Sequence, residues 1–152
     1  MSWWDPLETV WYEQPLSEEP EVFLTWFDSL SETQKVLFPT HWVCAEVHNG
    51  GFYQYFTNST GLHALEAIDG FRELGLDDIA EIVRQAVSVF DEPFPRVRSI
   101  REDFLDAMED DDPFHRLDDL FYETIKSQGD PKLSEDDRFI TAAEKYVALH
   151  GH

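Results

Sequence analysis

The stretch Asn49-Gly50-Gly51-Phe52-Tyr53-Gln54-Tyr55-Phe56, followed by Asn58-Ser59-Thr60-Gly61, decides how the rest of the chain is arranged. Two adjacent glycines remove side-chain bulk and permit positive φ, so a helix ending near His48 can turn sharply and bring its backbone against another element. Phe52, Tyr55 and Phe56 recur at helical spacing, which predicts a short second helix that drives aromatic rings inward. Gln54, Asn58 and Ser59 carry polar groups that need water or a hydrogen-bond partner. The glycines are not a phosphate cradle, because neither the G-x-G-x-x-G nor the G-x-x-x-x-G-K-[ST] spacing is present.

Working toward the N-terminus, Ser31-Glu32-Thr33-Gln34 fits a capping box, and its helix passes through Val36, Leu37, Trp42, Val43 and Cys44, with Pro39 bending or dividing it. Val22, Phe23, Trp26, Phe27 and Leu30 mark an amphipathic helix before that. Leu16 to Glu21 is a turn or linker. Asp5-Pro6-Leu7-Glu8 offers an acid at the N-cap and proline at the first helical position, predicting a helix to about Gln14.

Working toward the C-terminus, Leu62, Leu65, Ile68 and Phe71 form one face of a helix that Gly75 ends. Asp77-Asp78 opens the next, with Ile79, Val83, Val87 and Phe90 buried, so the two make a helical hairpin. Asp91-Glu92-Pro93-Phe94-Pro95 is a restricted loop. Ser99-Ile100-Arg101-Glu102 fits another capping box, leading through Phe104, Leu105 and Met108 into Glu109-Asp110-Asp111-Asp112-Pro113, where negative charge opposes the helix dipole. Leu117, Leu120, Phe121 and Ile125 mark the next helix, and Gly129, Asp130 and Pro131 end it. Ser134 with Asp137 caps the last, whose apolar row is Ile140, Ala143 and Val147, widened by Phe139 and Tyr146. No stretch alternates as a strand. The expected fold is all-α, a compact multi-helical single domain of eight or nine mostly short helices with a central Asn-Gly-Gly turn. Residues 1–19 form an acidic aromatic helix and linker, and residues 20–150 form the domain proper.

The 152 residues suit one core-forming domain, with 42% hydrophobic and 14% aromatic content. Charge is the outlier: 32 acidic against 11 basic residues give a formal net charge of −21. Such a field repels nucleic acid and anionic bilayers and favours basic protein surfaces or cations. The single cysteine, Cys44, excludes an internal disulfide. Met1-Ser2-Trp3-Trp4-Asp5-Pro6 has no basic region before an apolar one, and no window nears 18 apolar residues. A cytoplasmic location is the expectation.

His41, Cys44 and His48 can share a helix face, but zinc wants four ligands, or three and water, and a packed Cys44 with satisfied imidazoles competes with that reading. Cys44 among Trp42, Val43 and Ala45 suits packing better than nucleophilic attack. Glu46 can face His48, Asn49, Tyr53, Asn58 or Ser59 across the turn, either as a titrating carboxylate in a ligand pocket or as a hydrogen-bond acceptor that braces the turn. Asp110-Asp111-Asp112 and Asp136-Asp137 can attract calcium or magnesium weakly, but lack the EF-hand pattern. No cofactor and no dedicated metal is expected, and no catalytic residue is assigned.

The pattern Glu46-x-x-Asn49-Gly50-Gly51-Phe52-x-Gln54-Tyr55-Phe56-x-Asn58-Ser59-x-Gly61 resembles the signature of a bacterial, mostly uncharacterised all-helical family that includes the Neisseria DNA-mimic protein. The likeness extends over about residues 20 to 150. It implies an acidic protein, a dimer in the mimic member, that occupies the DNA-binding surface of a transcription factor. The signature itself is shared scaffold or pocket. Carboxylates on rigid helices would stand in for phosphates toward lysines and arginines. Candidates are Glu66, Asp69, Glu73, Asp77, Asp78 and Glu81 in the central hairpin, and Glu102, Asp103, Asp106, Glu109, Asp110, Asp111 and Asp112 beyond it. The expected partner is a basic or DNA-binding protein. If Trp3, Trp4, Trp11, Tyr12 and Trp26 are not buried within the monomer, they offer a homodimer or partner surface. The alternatives are an enzyme or small-ligand binder at Glu46 and Asn58, or a structural protein whose acidity is incidental.

Overall fold

Ser31 and Gln34 cap each other as their spacing predicts. The Ser31 hydroxyl accepts from the Gln34 N–H at 3.1 Å, and Gln34 Oε1 accepts from the Ser31 N–H at 2.9 Å. The helix that starts there, α3 (Glu32–Thr57), is the axis of the molecule. The computed structural model describes residues 2–126 and 137–150, and among them the secondary structure is wholly helical. Two short helices precede α3: α1 (Asp5–Glu8) and α2 (Pro20–Asp28). After it come a 3-10 turn (Ser59–His63), α4 (Ala64–Glu73), α5 (Asp77–Val87), α6 (Arg98–Asp106), α7 (His115–Ile125) and α8 (Asp137–His150). Helix α3 touches α1, α4, α6, α7 and α8, so its apolar positions lie at the centre of one continuous core. Among the described residues no helix is long and apolar enough to cross a membrane.

Helices α4 and α5 pair through Gly75, whose φ of +77° suits glycine at a helix end, and whose position matches the predicted stop. At Gly70 a Cβ would meet the Val36 carbonyl at 2.8 Å, so that glycine lets α4 lie directly on the α3 backbone.

Several local expectations give way to tertiary packing. The N-terminal helix stops at Glu8 and a 3-10 turn, Trp11–Glu13, replaces its predicted second half. The segment is tied to α3: Gln34 Nε2 donates to the Pro6 carbonyl at 2.9 Å, and Trp42 Nε1 donates to Gln14 Oε1 at 3.1 Å. Trp11 stacks on Trp42, and Trp3 sits edge-on to Phe139. Only Tyr12, 95% exposed, stands out in water, so the aromatic segment faces its own domain. Pro39 is buried inside α3 and does not divide it; both non-helical residues are glycines 50 and 51. Ser99 is not an N-cap, because α6 starts at Arg98 with Val97 before it, and Glu102 pairs with Arg98 instead. Leu65 and Leu120, expected on apolar faces, are exposed. The predicted cap at Ser134 and the acid Asp136 lie outside the described residues.

Candidate functional site

The glycine pair breaks α3 without ending it. Gly50 (φ −154°, ψ 20°) and Gly51 (φ 74°, ψ −178°) leave helical space, and the helix resumes at Phe52. A break of this kind orphans acceptors before it and donors after it. Two side chains one turn apart on α7 satisfy one of each. Asp118 Oδ1 accepts from the Phe52 N–H at 2.8 Å, and the Tyr122 hydroxyl donates to the Val47 carbonyl at 2.8 Å. Spacing of i, i+4 puts both on one face of α7, matched to the gap in α3.

A second brace crosses the same break from within α3. Glu46 is 9% exposed, and its Oε2 accepts from Asn58 Nδ2 at 2.7 Å and from Gln54 Nε2 at 3.1 Å. Asn49 Nδ2 donates to Gln54 Oε1 at 3.1 Å. The polar residues Glu46, Asn49, Gln54 and Asn58 thus form one connected chain. Phe52, Tyr55 and Phe56 are fully buried, as their spacing predicts. Gly61 lets the chain pass the Tyr55 carbonyl, 2.8 Å from where a Cβ would be. Ser59 is half-buried at the head of the 3-10 turn.

Two arginines, Arg98 and Arg101, close the C-terminal end of α3, where free carbonyls and the helix dipole favour cations, and Arg96 holds the turn that follows. Arg101 is completely buried and has no carboxylate partner among the described residues. Its Nε donates to the Phe56 carbonyl at 2.8 Å, its Nη2 to that of Asn58 at 2.9 Å, and its Nη1 to those of Arg96 and Pro95 at 2.5 and 3.3 Å. Burial pulls its pKa down to about 10, so it is charged at neutral pH. Arg98 Nε reaches the Thr57 carbonyl at 2.6 Å, and Arg96 joins the Leu62 carbonyl to a bidentate pair with Glu66 at 2.7 and 2.9 Å. Beneath them the Tyr55 hydroxyl lies 2.9 Å from His63 Nδ1, both fully buried. The sequence marks Tyr55 as a buried ring but does not pair it with His63, and it does not show which carbonyls these arginines hold.

Burial sets two of these groups against each other on acidification. Desolvation pushes His63 down to about 3, so its neutral form supports the fold above its ordinary value of 6.5 and that support is lost as pH falls toward 3. Asp118 is pushed up to about 6, chiefly by burial and against the pull of the Phe52 N–H, so its contribution runs the other way: it is present below about 4 and lost as pH rises through 6. Half-exposure discounts the full linkage value, leaving a penalty of about 1–2 kcal/mol at neutral pH. Asp118→Asn, which keeps an acceptor for Phe52, is therefore expected to gain about 1 kcal/mol at pH 7 and to lose stability more steeply between pH 6 and 4. Urea titrations of both proteins at several pH values measure this; parallel pH profiles would exclude the assignment.

The candidate acids separate by their surroundings. Glu66 is not a free surface acid: it is largely covered and held by Arg96. Asp78 pairs with Arg138 at 2.9 Å, Glu81 with Arg84, and Glu102 with Arg98. Asp69, 82% exposed at its side chain, has among the described residues only a long contact of 3.8 Å to Arg72. Glu73, Asp77, Asp103, Asp106 and Glu109 to Asp112 are exposed, and among the described residues none has a cationic partner. The run from Glu109 lies beyond the end of α6 in a turn, where Asp110 and Asp112 accept from the N–H groups of Asp112 and Phe114.

The histidine-cysteine face is part of the packing. His41 is enclosed by the rings of Trp3, Trp4 and Trp11 at 5.3 to 5.6 Å, Cys44 is buried, and His48 stacks on Tyr122. Among the described residues no group of three His, Cys, Asp or Glu side chains is placed to hold a metal ion. A family model described as DMP19-like protein matches residues 28–148. No curated protein and no solved structure matches the chain.

Proposed function

We propose, on the premise that the chain belongs to the DMP19-like protein family, that it is an acidic interaction module that binds a basic protein surface and takes the place of DNA there. Membership supports a protein-binding role in general, and the chemistry of the partner is read from this chain's own surface. The observation that carries the reading is a set of exposed carboxylates fixed on short, well-braced helices: Asp69 and Glu73 on α4, Asp77 opening α5, and Asp103 and Asp106 on α6. With 21 more acidic than basic residues, these groups sit in a field that draws cationic surfaces from a distance. Rigid helices mean that few degrees of freedom remain to be lost on binding.

Glu46 and Asn58 support the fold side of their two readings. Glu46 Oε2 accepts from both Asn58 Nδ2 and Gln54 Nε2, and the clefts that involve Arg96 to Glu102, His48 and Tyr122, or Phe27 and Val36 are lined by other residues.

Capture from extract of the source cell at moderate salt, with and without excess duplex DNA, tests the proposal. One DNA-binding protein should be retained, and the duplex should displace it. A variant carrying Asp69→Asn, Glu73→Gln and Asp77→Asn should bind that protein about tenfold or more weakly, at unchanged helical content, since exposed charges act mainly through association. Retention that survives both the duplex and the variant would defeat the reading.

A further inference from the structure

A small cleft of about 190 Å³ opens between α2, α3 and α4, lined by Phe27, Lys35, Val36, Asp69, Gly70 and Glu73, with Glu66 at one end. Its floor is apolar: the Phe27 ring, the Val36 methyls and the bare Gly70 backbone meet there because Gly70 brings α4 close to α3. Its rim is not. Asp69 and Glu73 stand four residues apart on α4, so their carboxylates are neighbours along one edge. Glu66 is occupied by Arg96, and Lys35, which also lines the cleft, is paired with Glu32 at 3.5 Å. That leaves two carboxylates beside an apolar slot, one with a weak cationic partner and one with no cationic partner among the described residues.

A slot with these properties fits a side chain that is apolar along its length and cationic at its tip. Resting on the basic-partner reading above, we infer that this cleft receives an arginine side chain of the partner protein, its stem against Val36 and Phe27 and its guanidinium between Asp69 and Glu73. Arginine suits it better than lysine. The guanidinium is flat and weakly hydrated, so it can lie against Phe27 and meet two carboxylates at once, whereas an ammonium holds its water and offers a point charge. The acidic surface at large can attract a basic protein without choosing a residue. A floored cleft selects one and gives the complex a register.

The test uses the whole protein labelled with nitrogen-15 and three short probes: acetyl-Gly-Arg-Gly-amide, and the same peptide with lysine or with citrulline, which matches arginine in shape without its charge. Amide shifts at Phe27, Val36, Gly70 and Glu73 should move and saturate with the arginine peptide, and both analogues should bind about fivefold or more weakly. Asp69→Asn with Glu73→Gln should weaken the arginine peptide about tenfold while the spectrum keeps its dispersion. Shifts spread evenly over the acidic surface, lysine binding as well as arginine, or an unchanged affinity in the double variant would each overturn the inference. An arginine peptide that avoids the cleft while the DNA-binding protein is still captured removes this inference and leaves the basic-partner reading standing. If capture fails as well, both fall.

Discussion

Arg101→Met should lower the free energy of unfolding by about 4 kcal/mol, among the larger losses a single substitution causes. Two effects oppose each other. Removing a guanidinium whose pKa is pulled down to about 10 relieves a desolvation cost of roughly 3 kcal/mol. Against that, the carbonyls of Phe56, Asn58, Pro95 and Arg96 lose a charged donor whose own side chain is fully covered, the Phe56 bond being buried and the other three partly so. Charge-assisted hydrogen bonds contribute about 1.5–3 kcal/mol each, and a buried acceptor left unpaired costs about 1–3 kcal/mol. Four acceptors outweigh one desolvated cation. They also belong to two segments, the end of α3 and the loop before α6, so the loss separates elements as well as weakening one. Arg101→Lys, which keeps the charge and loses the fork, should recover no more than about half. Urea unfolding with its slope checked for constancy measures both. A methionine variant within about 1 kcal/mol of the parent would mean that the carbonyls find other partners and that Arg101 is not the anchor described.

How much of this was legible in the sequence depends on the range of the interaction. Ser31 and Gln34 are three residues apart, and their reciprocal cap could be read directly. The same is true of Gly75 and of the buried triplet Phe52, Tyr55 and Phe56. The pattern at Ser99 was equally good on paper and formed no cap, because Arg101 inside it is pulled into the core by carbonyls 43 and 45 residues away. Asp118 and Tyr122 meet partners 66 and 75 residues distant and were not separable from other polar residues flanking the α7 stripe. One signal was available for Arg101: it is a cation four residues before Leu105, on the inward side of a helix otherwise rich in acids. Among the acids, Glu66 looked like the rest of its helix until Arg96, 30 residues on, covered it.

Gly51→Ala should be nearly as damaging, at about 4 kcal/mol, and it separates the two reasons for a glycine at this position. Its φ of 74° with ψ of −178° lies in a region that is essentially glycine's alone, which costs an L-residue about 1–3 kcal/mol. A Cβ there would also lie 2.5 Å from Asp118 Oδ2, a group already fixed by the Phe52 N–H. Gly75 supplies the comparison, since it shares a positive φ of 77° and nothing lies within 4 Å of its added Cβ. Gly75→Ala should therefore cost only about 1–2 kcal/mol, the backbone part alone. The remainder at Gly51 is the collision with Asp118, and it should appear as coupling of about 1 kcal/mol or more when Gly51→Ala is combined with Asp118→Ala. Additive losses would show that α7 does not hold the break in α3. The same variant bears on function. If the glycine pair serves as scaffold, Gly51→Ala held in its folded state by low temperature should bind the captured partner with the parent's affinity per folded molecule. A selective loss of binding there would move the interaction site from the acidic hairpin to the break itself.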